Sequence, residues 1–152
     1  MAHTAIESAS YPAENVEFTL TLNGDEYRPI DMVRRGHCHP KMLHTGSVIN
    51  GTLTRRFMLV RVDTSNCRSF ADIRDRLSKC GSVPEGQWVY AFNTAYPTPD
   101  GDGLIGIADD AWVHPRGYSD FPVIDGAGRL FFLTTVLLRM FRSWRWLVCV
   151  GS

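Results

Sequence analysis

The chain has little lysine, no net charge, no apolar run of membrane length and no closely spaced cysteines, and each of these absences excludes something. Its 152 residues hold sixteen basic side chains against sixteen acidic ones, which argues against both a disordered acidic tail and a globally basic nucleic-acid binder. Arg139, Arg142 and Arg145 interrupt the most apolar segment, so no stretch of about 18 or more apolar residues is left to span a membrane. The cysteines at 38, 67, 80 and 149 form no C-x-x-C pair, and free thiols in a reducing compartment are the expectation. Met1 to Glu14 has neither a basic start nor a continuous apolar region, so a cytoplasmic location is expected, with residues 1–14 as a flexible tail. There is no G-x-S-x-G elbow, no G-x-x-x-x-G-K-S/T phosphate loop and no glycine series set between a strand and a helix, which disfavours serine hydrolysis and nucleotide binding.

What is present is enough apolar residue, 44% of the chain, to bury a core in one domain over residues 15–152. Val16, Phe18, Leu20 and Leu22 alternate with polar residues up to Asn23-Gly24, the pattern of a half-buried strand ending in a turn. A short hairpin return over Glu26–Arg28 is one continuation, stopped by Pro29, and residues 30–35 suit a helical turn. Arg56–Val62 reads as a central strand, with Phe57, Leu59 and Arg61 on one side and Met58, Val60 and Val62 on the other. Ser69 and Asp72 form a capping box ahead of Phe70, Ile73, Leu77 and Cys80, predicting a helix stopped by Gly81. A second box, Ser82 with Glu85, precedes Trp88, Phe92 and Tyr96 at helical spacing.

Beyond Pro97 and Pro99, short apolar runs separated by Gly, Asp and Pro predict strands at Leu104–Ile107, Ala111–His114, Phe121–Ile124, Leu130–Val136 and Trp144–Val150. Asp125-Gly126 with Gly128 marks a hairpin between two of them. The expected architecture is α+β, a mostly antiparallel sheet carrying two helices on one face.

Charge is ordered in blocks. Residues 1–27 hold five acids and no base, 28–61 seven bases against Asp31, 85–125 seven acids against Arg116, and 126–152 four arginines and no acid. The simpler account is that opposite blocks face one another across the fold. The alternative is a surface of one sign, with Arg34, Arg35, Arg55 and Arg56 as a phosphate-tracking patch. No aromatics are interleaved with those bases, so a stacking platform for single strands is missing.

Three further groups bear on chemistry. His37, His39 and His44 are the densest metal donors, with His37 and His39 on one side of an extended segment, though H-x-H without a later ligand pair is a weak zinc signal. Asp100, Asp102, Asp109 and Asp110 superficially suit calcium, but with Asp100 at position 1 the position-12 glutamate is Ala111, so turn formation is the better explanation. Cys38 or Cys149 with His114 is the one nucleophile and base pairing to consider, against the commoner role of cysteine as a small buried hydrophobe. By elimination the chain is read as a non-enzymatic protein-interaction module, with accessory, inhibitory or immunity-like roles in a bacterium or phage as the setting. Trp112, Tyr118 and Asp120, in an acidic stretch, are its expected partner-binding residues. The alternatives are a small zinc-dependent hydrolase built on His37, His39 and His44 and, third, nucleic-acid binding through the basic block; no other cofactor and no membrane partner is expected.

Overall fold

A computed structural model describes residues 10–135 and 143–151, Ser143 by its backbone alone. Eight strands make one sheet: β1 (Phe18–Asn23), β2 (Leu43–His44), β3 (Thr52–Asp63), β4 (Ile105–Gly106), β5 (Trp112–Val113), β6 (Ser119–Ile124), β7 (Leu130–Thr134) and β8 (Ser143–Gly151). Three helices complete it: α1 (Pro29–Arg34), α2 (Phe70–Leu77) and α3 (Trp88–Ala95). The sheet order is β1-β3-β8-β4-β6-β5-β2, with β7 on the other edge of β6. Among the described strands only β4 and β8 run parallel, so the α+β, mostly antiparallel reading holds, and the described residues add a third helix to the two expected.

The period-two patterns in β3 and β8 divide the core into two faces. Phe57, Leu59, Leu147 and Cys149 belong to one cluster together with Trp88 and Phe92 of α3. Val60, Trp144, Trp146 and Val148 belong to the other, with Ile73 and Leu77 of α2. The two helices therefore lie on opposite faces, not on one. The crossing is made at Gly81-Ser82, where Ser82 exchanges two backbone hydrogen bonds of 2.8 Å with Cys149. A Cβ on Gly81 would stand 2.5 Å from the Cys149 carbonyl oxygen, closer than real contacts allow, so only glycine lets the chain pass β8 at this height. Ser82, expected as a helix cap, is used here as a strand partner, and α3 starts later, at Trp88. The Ser69–Asp72 box of α2 forms as expected, with Ser69 Oγ accepting from Asp72 N at 3.3 Å and Asp72 Oδ2 accepting from Ser69 N at 3.2 Å.

β1 does not turn back on Glu26–Arg28. Its antiparallel partner is β3, with Asn23 opposite Thr52, and Gly24 N donates to Gly51 O at 2.7 Å to close the base of an excursion over residues 24–51. The excursion carries α1, passes α3, pairs with β5 as β2 and returns to the start of β3. Pro29 at the first position of α1 starts a helix where a hairpin return would need a strand. α3 lies between sheet and excursion, which is why Trp88, Val89, Tyr90, Ala91 and Phe92 are all buried. The β6–β7 hairpin is closed by Asp125 N donating to Arg129 O at 2.9 Å, with Gly128 at φ 82°. Val136, the last residue of the expected strand there, lies outside the described residues.

Ser10 to Glu14, counted with the flexible tail from sequence, belong to the packed structure: Ser10 bridges Thr98, Tyr11 packs edge-on against Phe92, and Glu14 pairs with Arg61 at 2.9 Å. Among the described residues no helix is long and apolar enough to cross a membrane.

Candidate functional site

The three histidines proposed as metal donors are dispersed by their separate packing partners. His37 Nδ1 hydrogen-bonds the Tyr90 hydroxyl, His44 sets its ring edge against Trp112 with centroids 4.6 Å apart, and His39 meets His114 at 4.8 Å. Burial lowers the pKa of both His37 and His44. Among the described residues no three His, Cys, Asp or Glu side chains come together as a metal site, so the H-x-H segment does not assemble the expected donor set.

A different titratable group gathers around β6. His39 and His114 each accept a backbone N–H at Nδ1, from Lys41 N at 3.0 Å and Arg116 N at 3.1 Å, which places the proton of the neutral ring on Nε2. Tyr118 stacks on His114 at 4.5 Å. Asp120 is buried, and its Oδ1 has no hydrogen-bond partner. Burial raises its carboxyl pKa, against the opposing pull of His114 and His39. Cys38 is half-buried, and burial together with the Asp120 charge pushes its thiol up to about 11. A thiol held protonated at neutral pH is the reverse of a poised nucleophile. The pairing of Cys38 with His114 therefore lacks the activation it needs.

Asp120 leads to a pH prediction. A carboxyl whose pKa is raised in the folded state costs stability above that pKa, and the cost disappears as pH falls toward the unfolded value. Asp120→Asn is expected to unfold at higher urea than the parent at pH 7, by roughly 1 kcal/mol. The difference should close by about pH 4, near the ordinary carboxylate value. Equal stabilities at pH 7 would mean that the carboxylate is solvated well enough to ionise freely.

The expected partner-binding residues need correction. Trp112 is fully buried and Asp120 nearly so, because β5 pairs β6 with Trp112 opposite Asp120 inside the sheet. Only Tyr118 reaches the surface in part. The basic patch is also not assembled. Arg34 and Arg35 end α1, Arg55 pairs with Glu85 at 3.2 Å and Arg56 with Glu17 at 2.8 Å. Arg35 lies over the rings of Tyr27 and Tyr90, 4.8 and 5.4 Å from their centroids. The charge blocks meet one another across the fold, as the simpler account has it: Arg61 bonds Glu14 and Asp102, and Arg145 bonds Asp100. The aspartate group is likewise used structurally. Asp109 accepts from Gly86 N at 2.7 Å and Trp112 Nε1 at 3.3 Å, and Asp110 pairs with Arg74 at 3.4 Å.

What the sequence did not reveal is an apolar groove of about 380 Å³ between α1 and β2. Ile30 and Val33 of α1 form one wall, Leu43 and Val48 the other, and Met42 and Trp112 line it as well. Four large hydrophobics are exposed among the described residues, and three of them are here: Leu43 at 66%, Ile30 at 45% and Val48 at 41%. Single exposed apolar residues are ordinary, whereas a cluster around a concavity is the pattern of a binding surface. A larger hollow of about 650 Å³ beside α2 is lined mainly by polar side chains, including Arg74, Asp75 and Ser78. Arg74 and Asp110 there already neutralise each other, so it offers less to a ligand. In sequence, Ile30, Leu43 and Val48 share no helical or strand period that would mark a common face, and only the fold of the excursion collects them.

No known family model, curated protein or solved structure matches this chain.

Proposed function

We propose that the chain is a protein-interaction module whose docking surface is the groove between α1 and β2. The observation that carries this reading is the concentration of three exposed apolar side chains, Ile30, Leu43 and Val48, around one concavity lined also by Trp112. Apolar anchors entering such a pocket, with polar residues at its rim, are how most interfaces hold their energy. An accessory, inhibitory or immunity-like role belongs with this reading. The zinc-hydrolase alternative stands behind it because its histidines have separate partners, and nucleic-acid binding because Arg55 and Arg56 are spent on carboxylates.

Selection of peptides from a random display library on the immobilised protein is the test. The parent should enrich a shared sequence pattern. Leu43→Asp with Ile30→Asp changes two exposed positions, so its melting temperature should stay close to the parent's, while the selected peptides bind it at least about tenfold more weakly. Selected peptides that bind the folded double variant as tightly as the parent would remove the groove from consideration.

A further inference from the structure

We infer that the groove takes an extended segment of a partner protein, an apolar core flanked by carboxylates, laid along the free edge of β2; this rests on the interaction reading above.

Backbone geometry supplies the first argument. Among the described residues β2 is the last strand of the sheet on its side, and it pairs β5 with Leu43 opposite Val113 and His44 opposite Trp112. Thr45 N donates to Ala111 O at 2.8 Å, so the hydrogen-bonded pairs of this antiparallel ladder fall on Thr45 and Leu43. Residues between such pairs turn their N–H and C=O to the other edge, and here that residue is His44. β2 also forms a wall of the groove. A strand added there gains main-chain bonds while its alternate side chains enter the apolar space, the mode used wherever an extended peptide augments a sheet.

Charge supplies the second. Residues 24–51 hold Arg28, Arg34, Arg35 and Lys41 against Asp25, Glu26 and Asp31; Arg28 and Asp31 neutralise each other at 3.1 Å, and Asp25 accepts from Gly51 N at the base of the excursion at 3.0 Å, which leaves Arg34 and Lys41 as the charges that adjoin the groove residues in the chain. Arg28 lines the groove itself, and Arg34, which follows Val33 in the chain, and Lys41, which precedes Met42, are both exposed. A second copy of this chain would bring the same positive rim against itself, which like charges oppose. A segment with Asp or Glu on either side of its apolar residues fits both the groove and the rim.

The test uses the full chain and two sets of synthetic heptapeptides sharing an apolar core of Val and Leu, one with acidic flanks and one with lysine flanks. Binding is followed by fluorescence polarisation at low and high salt, and the His44 amide by hydrogen exchange. The acidic set should bind at least about tenfold tighter than the basic set and weaken with salt. Arg34→Glu with Lys41→Glu should reverse that preference, and bound peptide should slow exchange at His44. Equal binding of the two sets overturns the inference, as does binding without protection of His44, the result expected of a helical ligand seated on the walls. Self-association lost in Leu43→Asp, with neither set bound, assigns the groove to a second copy and also overturns it. In each of those cases the groove remains a docking surface. That reading fails separately if Leu43→Asp alters neither peptide binding nor self-association.

Discussion

Asp100→Ala is expected to lower the free energy of unfolding by about 2–3 kcal/mol, less than a fully buried ion pair would lose, because the Asp100 side chain is 36% exposed while the guanidinium it leaves behind is buried. Its partner Arg145 is only 3% exposed. Two of its nitrogens meet Asp100 at 2.6 and 2.8 Å, and one also donates to Asp102 O at 2.9 Å. Its Nε has no partner, and its guanidinium lies 5.6 Å from the centre of the Tyr11 ring. Without Asp100, a cation on a central strand loses its only neutralising group at close range. Urea unfolding checks the magnitude, and the companion variant Asp100→Ala with Arg145→Met should recover much of the loss, since it removes the buried charge that the single variant leaves unpaired.

The same pair sets an acid limit. The Arg145 guanidinium holds the Asp100 carboxyl below its ordinary pKa. A depressed carboxyl contributes stability that is fully present above the unfolded value and is lost as pH falls through the folded one. The gap between the parent and Asp100→Ala should therefore be constant near neutrality and narrow below about pH 4. A gap that stayed constant down to pH 2 would show that the ion pair is not its source.

Gln87→Leu should be as damaging and more local. Gln87 is 1% exposed. Its Nε2 donates to Tyr27 O at 2.9 Å and Ile49 O at 3.1 Å, and its Oε1 accepts from Ile49 N at 2.8 Å. One amide thus joins both ends of the 24–51 excursion to the start of α3. Leucine keeps the volume but leaves three backbone groups buried without partners, each costing about 1–3 kcal/mol before relaxation. The expected loss is about 3 kcal/mol, with fast exchange at the Ile49 amide and weakened peptide binding in the groove, because the excursion carries both groove walls. Ile49 protection equal to the parent's would place the anchor of the excursion elsewhere, most directly on the stacking of Tyr27 with Tyr90 at 4.7 Å.

Local periodicity made much of the framework legible. Alternation in β3 and β8 identified the strands and the side of each that carries Phe57 and Leu59 or Trp144 and Trp146, because a strand's side-chain period of two is imposed by its backbone. Ser69 and Asp72 marked the start of α2, since a capping box satisfies its own donors within four residues. Asp125-Gly126 and Gly128 marked the β6–β7 hairpin for the same reason of short range. The candidate site was not legible. Trp112 and Asp120 looked like surface anchors in an acidic stretch, yet pairing of β5 with β6 buries both, and sequence distance says nothing of which strands will be neighbours.

The sequence by itself determined the type of most strands and helices, though not β2, and the alternating faces of the central strands, and it favoured the matching of opposite charge blocks, as backbone periods and neutralisation require. Tertiary structure alone decided that α2 and α3 take opposite faces, through the close passage of Gly81 by Cys149, and that residues 24–51 leave the end of β1, pair with β5 as β2 and return to β3. It also decided that Ile30, Leu43 and Val48, unremarkable apart, stand around one groove. Those outcomes depend on contacts between residues far apart in the chain, where many pairings satisfy the same local preferences and only the packing of the whole core selects among them.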